Sequence, residues 1–211
     1  MKRVSEVGRS QRMRIIHALK KTQGLSVNEL GEQLKLSYMG VKQHCGELER
    51  QGYLDTWRRP KAVGRPEMIY RLTPKAHTFF PQGANATTIE LLQAANRLFG
   101  HVAAEKLLYS VFAAKTEDYM RKLRGKTVLE LAEMVAKIRN QEGYLSEVIT
   151  SDKIAIVEYH SPIMDLLDAF PLVRRLEREM LERVLGVRIE REEKIASGLY
   201  RCSFVLQTPL A

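Results

Sequence analysis

At 211 residues, 45% apolar and 28% charged, the chain has the composition of a folded protein with a sizeable core, not of a disordered one. No apolar run approaches the ~18–20 residues a bilayer span needs, and the basic start lacks a signal peptide's apolar stretch and cleavage site. A cytoplasmic location without a membrane partner is therefore expected. The net charge of +9 is unevenly placed: residues 1–80 carry 16 basic and 7 acidic side chains, whereas residues 81–211 carry 18 of each. A polyanion site in the first domain explains that asymmetry, and a solvated basic face is the bland alternative.

In chain order, Met13, Ile16, Ala18 and Leu19 recur at helical spacing between Arg9 and Lys21, with Ile15 on the margin and Gly24 as the stop. Ser26-Val-Asn-Glu29 has capping-box spacing and predicts a second helix to about Lys35, with Val27, Leu30 and Leu34 inward. Ser37 is placed to cap a third helix ending near Gln51, before Gly52. Two short helices, a tight turn and a longer third helix form a helix-turn-helix pattern.

On the third helix Val41, His44, Cys45 and Leu48 share one side. Met39, Gln43, Gly46 and Arg50 lie opposite, flanked by Tyr38 and Lys42. Gln suits an adenine edge, Met a thymine methyl, and Lys or Arg a guanine or phosphate. Gly46 lets the backbone approach a groove wall or serves packing within the protein. After Gly52 the period changes. Tyr53–Arg59 and Met68–Leu72 are β-rich runs joined by a basic tip with Arg58, Arg59, Lys61 and Arg65, the pattern of a wing that meets phosphates or the minor groove. Thr73-Pro74 opens a short helix through Phe80. The candidate DNA contacts are Ser37, Tyr38, Met39, Lys42, Gln43, Arg50, Arg58, Arg59, Lys61 and Arg65, and double-stranded DNA is the expected partner.

The run from Ser37 to Leu54, with Gly64-Arg-Pro66 at the wing and Tyr70-Arg-Leu-Thr-Pro74 after it, resembles bacterial winged-helix regulators of the ArsR-like group. Within that group it looks most like relatives of the repressor of iron–sulfur cluster assembly (SufR). The resemblance covers about residues 10–80 and implies a homodimer on paired operator half-sites. It also implies cysteine ligands for an iron–sulfur cluster in the C-terminal domain. Here Ser161, in Tyr159-His-Ser-Pro162, and Arg174, in Pro171-Leu-Val-Arg174, stand at two of those positions, and only Cys202 matches. A single thiol cannot supply the usual four thiolates. No cofactor is therefore expected; the alternative is an iron–sulfur or metal-dependent sensor using Cys202 with non-cysteine ligands.

Residues 82–88 read as a linker, with Thr87 or Thr88 capping the next helix. Leu91, Leu92, Ala95, Leu98, Phe99 and Val102 repeat at helical spacing, and Gly100 is positioned to break that helix. Leu107, Leu108, Val111 and Phe112 follow, then Tyr119 and Leu123. Thr127-Val-Leu-Glu130 caps a helix to about Asn140, with Gly143 as its stop. These stripes read as core or as a dimer seam. From Leu145 the pattern is β-β-α-β-β: Val148–Ile149, Ile154–Tyr159, helical Pro162–Ala169 and Leu172–Leu185, then Val187–Arg191 and Leu199–Gln207. Cys202 shares a strand face with Tyr200, Phe204 and Leu206 and reads as core. His160 beside Ser161 has no placed acid or nucleophile partner, so no enzyme is expected.

The sequence thus reads as α+β: an N-terminal winged helix-turn-helix (1–81), a helical linker or dimerisation segment (88–142) and a small α/β effector or dimerisation domain (143–211). The function that follows is transcription regulation, as a homodimeric repressor answering to an unidentified effector. A winged-helix module for protein interaction is the alternative of a different class.

Overall fold

Ser26 and Ser37 start the two helices around which the first unit is built. In the computed structural model, which describes residues 2–61, 66–80, 85–125, 127–196 and 199–209, the Ser26 hydroxyl accepts from the Glu29 N–H, and the Glu29 carboxylate accepts from the Ser26 N–H at 2.7 Å. This reciprocal cap begins α2 (Val27–Leu34). The Ser37 hydroxyl accepts from the Gly40 N–H and begins α3 (Tyr38–Arg50). Lys35, at φ +55°, closes α2 in the left-handed region and makes the turn between them.

Both helices pack with α1 (Lys2–Lys20), which begins earlier than its apolar spacing predicted. Ile15 is fully buried rather than marginal, because α1 is covered by α2, α3 and the sheet together. The sheet consists of β1 (Leu25–Ser26), β2 (Leu54–Arg59) and β3 (Glu67–Leu72) in the order β1-β3-β2, antiparallel throughout. Gly24 enters it at φ +144°; a Cβ there would lie 2.8 Å from Ile69 Cδ1 and 3.0 Å from the Tyr70 carbonyl oxygen, so only glycine fits. A 3-10 helix, Pro74–Phe79, ends this unit.

The second unit comprises Pro81–Ile195 and Tyr200–Ala211. It opens with α4 (Asn85–Phe99), ahead of the threonines expected to cap it. Buried Asn85, its first described residue, donates from Nδ2 to the Pro162 carbonyl at 2.8 Å. Gly100, at φ +94°, breaks the helical run as its position suggested, and α5 (Ala103–Lys122) follows. Next come α6 (Val128–Gln141), capped by the Thr127/Glu130 box, β4 (Ser146–Ile149), β5 (Ala155–Glu158), α7 (Met164–Ala169), α8 (Leu172–Leu185), β6 (Val187–Ala196) and β7 (Leu199–Pro209). The strands form one sheet in the order β4-β5-β7-β6. Its core draws on the helices and the sheet alike, from Leu92 and Leu108 through Val135 and Leu181 to Phe204. Among the described residues no helix is long and apolar enough to cross a membrane.

A charged cluster sits inside that core. Arg139 on α6 donates to both oxygens of Glu158 on β5, at 2.6 and 2.8 Å, and to Glu177 on α8 at 3.0 Å. All three are at most 2% exposed. The Arg139 guanidinium lies 3.4 Å from the centroid of the Tyr144 ring. Burial works against its charge, and the two carboxylates overcome that to hold it protonated. Arg191 on β6 adds a second cation 3.7 Å from Glu177 and covers the Phe204 ring.

Removing Arg139 would strand two buried carboxylates. Arg139→Met is therefore expected to lower the free energy of urea unfolding by ~3–5 kcal/mol. Arg71→Ala, which breaks the half-exposed pair with Asp55, is expected to cost no more than ~1 kcal/mol in the same assay.

Candidate nucleic-acid interface

The orientation of α3 follows from what it buries. Val41 and Cys45 are fully enclosed and Leu48 nearly so, while His44 is half-buried with Nε2 2.8 Å from Gln11 Oε1. Burial pushes the Cys45 thiol up to about 12, so it is a neutral packing group. With that row inward, Met39 is 71% and Tyr38 51% exposed, and Lys42, Gln43 and Arg50 are exposed beside them. Lys42 and Gln43 make no hydrogen bond or ion pair among the described residues. Arg50 Nε donates only to its own helix, to the Gly46 carbonyl at 3.3 Å. This side therefore offers donors, an amide, a thioether and positive charge, none of them tied to another element among the described residues. Ser37 differs, because its hydroxyl is engaged in the cap.

Gly46 lies on the same side, and a Cβ built on it meets nothing within 4 Å. Packing within the protein therefore does not require glycine there.

On the wing, β2 and β3 pair in register, Arg58 opposite Met68 and Arg59 opposite Glu67. Arg58 is exposed and forms no ion pair among the described residues. Arg59 is committed: Nη2 reaches Glu29 Oε1 at 2.7 Å and Glu67 Oε2 at 2.9 Å. The Arg59 contact holds the Glu67 carboxyl below the usual carboxylate range. Arg59 thus ties the wing to the N-terminal turn of α2, and is a positioning group more than a free cation. Lys61 Nζ sits 3.5 Å from Glu67 Oε1 and is half-exposed. Arg65 lies outside the described residues. Trp57, 54% exposed on edge strand β2, and Met68, 52% exposed, are apolar groups on the wing that the sequence reading did not single out. The signal for Trp57 was the chain's lone tryptophan set in a basic strand.

The second unit does not assemble cluster ligands. Cys202 is fully buried, and burial pushes its thiol up to about 12, with Arg191, Glu158 and Glu177 as its charged neighbours. Ser161 is buried, its Oγ without a hydrogen-bond partner among the described residues. Arg174 is tied to the Leu167 carbonyl, to Asp168 at 2.8 Å and to Glu193 at 3.2 Å. One protonated thiol, a serine and an ion-paired arginine do not fit an iron–sulfur cluster. No group of three or more His, Cys, Asp or Glu among the described residues is arranged to hold a metal ion.

Residues 9–55 match the winged helix-turn-helix DNA-binding family. That stretch holds most of α1, all of α2 and α3 and the first residues of β2, so the first unit has the winged helix-turn-helix fold. No curated protein matches the chain. Among solved structures, a cysteine-to-serine mutant of ZitR from Lactococcus lactis aligns over 52% of this chain and 74% of its own, with 20% identity and a TM-score of 0.29. A MarR family regulator from Neisseria meningitidis aligns over 63% and 79%, with 17% identity and a TM-score of 0.28.

Because the space over Gly46 is open, Gly46→Ala is expected to raise the stability of the free protein by ~1 kcal/mol through helix propensity, read as a higher urea midpoint.

Proposed function

We propose that this protein is a sequence-specific DNA-binding transcription regulator, a repressor that works as a homodimer on paired half-sites in the cytoplasm and has no catalytic activity. The observation that carries the reading is the outer side of α3. Among the described residues Lys42 and Gln43 are exposed there without a hydrogen bond or ion pair, Arg50 donates only within its own helix, and Arg58 on the adjoining wing forms no ion pair. Base-edge contacts fall to Gln43 and Met39, and phosphate contacts to Lys42, Arg50, Arg58 and Lys61. Tyr38 and Ser37, at the start of α3, are assigned to the backbone of the duplex. Arg59 acts through the wing's position. A glycine that the free protein does not need is accounted for if the groove wall approaches the helix at Gly46. The likeness of 37–74 to ArsR-like regulators supports the same reading, including the paired half-sites.

Selection of binding sites from random duplex DNA, followed by affinity measurement across a salt series, tests this directly. The expected result is a defined motif and a steep fall of affinity with salt. A flat salt dependence, or no enriched motif, would overturn the reading. Gln43→Ala is expected to relax preference at one position at a cost of ~1–3 kcal/mol, whereas Arg58→Ala should weaken all duplexes alike and lower the salt slope by about 1. Gly46→Ala is expected to bind its motif more weakly despite its greater stability.

A further inference from the structure

One helical hairpin of the second unit holds an apolar surface in water. Leu91, Leu98 and Phe99 on α4, Val102 in the turn, and Leu107 and Val111 on α5 are 49–78% exposed. They are not stray members of the core. The inward row of the same helices is filled by Leu92, Leu108, Phe112 and Tyr119, each at most 8% exposed. The spacing of Leu91 and Leu98, and of Leu107 and Val111, puts a second apolar row beside the first on each helix. The hairpin itself is pinned, since the Ala104 N–H donates to Asn96 Oδ1 at 2.8 Å across the turn.

At those exposures the six side chains leave on the order of 600–800 Å² of apolar surface in water, more than the ~300–600 Å² patch typical of a monomer. It approaches the ~800 Å² that each partner contributes to a standard-size stable interface. Charge indicates the occupant. Residues 81–211 carry equal numbers of acidic and basic groups. The hairpin is edged by both signs, with Glu90, Arg97, Glu105 and Lys106 all exposed. Such a rim selects neither an acidic nor a basic partner and does not repel its own copy. An uncharged apolar stripe with a balanced rim matches the composition of a homodimer interface, and a two-fold contact sets the same patch against itself.

We propose that a second copy of this chain docks on the α4–α5 hairpin, making it the dimer seam. The proposal deepens the homodimer reading above and rests on it for its use at DNA.

Analytical ultracentrifugation of the full chain over a concentration series tests the seam. The 24.2 kDa chain is expected to sediment as a dimer. Leu98→Glu combined with Val111→Glu is expected to weaken association roughly tenfold or more, with an unchanged circular dichroism spectrum. Thr150→Glu, at an exposed position off the hairpin, should remain dimeric. A second measurement keeps the apolar surface nearly intact. Both native cysteines are fully buried, so Leu98→Cys supplies the one accessible thiol, whose alkylation should slow as protein concentration rises. A monomeric wild type, a dimer indifferent to the double substitution, or concentration-independent alkylation of Leu98→Cys would each overturn the seam. A wild type that dimerises this way yet selects no DNA motif would leave the seam standing and overturn DNA recognition; a monomer that selects one would overturn the seam and the homodimer and leave DNA recognition standing.

Discussion

Burial of Val41, Cys45 and Leu48 sets the rotation of α3 about its axis, and that rotation decides what the first unit can present to another molecule. A helix has one side to bury. Once these three fill the space against α1 and the sheet, Met39, Gln43, Gly46 and Arg50 have to face outward. The caps at Ser26 and Ser37 set where α2 and α3 begin, and the left-handed Lys35 keeps the turn between them short. Arg59 then anchors the wing to the N-terminal turn of α2 through Glu29. The geometry of the outer surface is therefore inherited from the core and two caps. Met39, Lys42 and Gln43 on that surface are exposed and take little part in holding the unit together.

The second unit solves a different problem. Its sheet and helices enclose charged side chains, and enclosure is tolerable only because Arg139 meets both Glu158 and Glu177 with good geometry. The network connects α6, β5 and α8 and gives those elements a specific mutual register that apolar packing alone would define less sharply. Cys202, opposite Glu158 in the β5–β7 pairing, lies among these carboxylates. Burial favours a thiol over a thiolate there, with Glu158 and Glu177 adding to it and Arg191 opposing it. The surroundings that make the core specific also remove the chemistry by which a cysteine would bind a cluster.

Local signals were legible where local physics decides the outcome. The capping boxes at Ser26 and Thr127, the cap at Ser37, the two wing strands and Gly100 as a break can all be read from short spacings, and the structure places each of them there. What escaped depends on partners distant in sequence. Arg59 looked like a phosphate contact because nothing nearby in sequence shows that Glu29 waits for it. Asn85 is buried because its amide meets the Pro162 carbonyl, 77 residues away, which no local pattern reveals. Ile15 looked marginal because one period was assigned to a helix that is covered from several directions. Arg139 is the instructive miss: it follows Ala132, Val135 and Ala136 at helical spacing, so periodicity already placed it on the inward side of α6. A cation on that side requires buried acids, and Glu158 and Glu177 could have been sought among the β and helical runs that follow.

Net charge and available charge are also different quantities in the first unit. Of its basic residues, Arg12, Arg59, Lys61 and Arg71 have carboxylate partners, and those pairs contribute to the total without offering a free cation. Lys42, Arg50 and Arg58 are exposed and unpaired among the described residues, on α3 and the wing. An electrostatic surface meant for a polyanion needs such uncommitted cations on one side, since a paired cation must first give up its carboxylate. Charge is thus segregated along the chain: the whole excess lies in residues 1–80, while residues 81–211 are balanced.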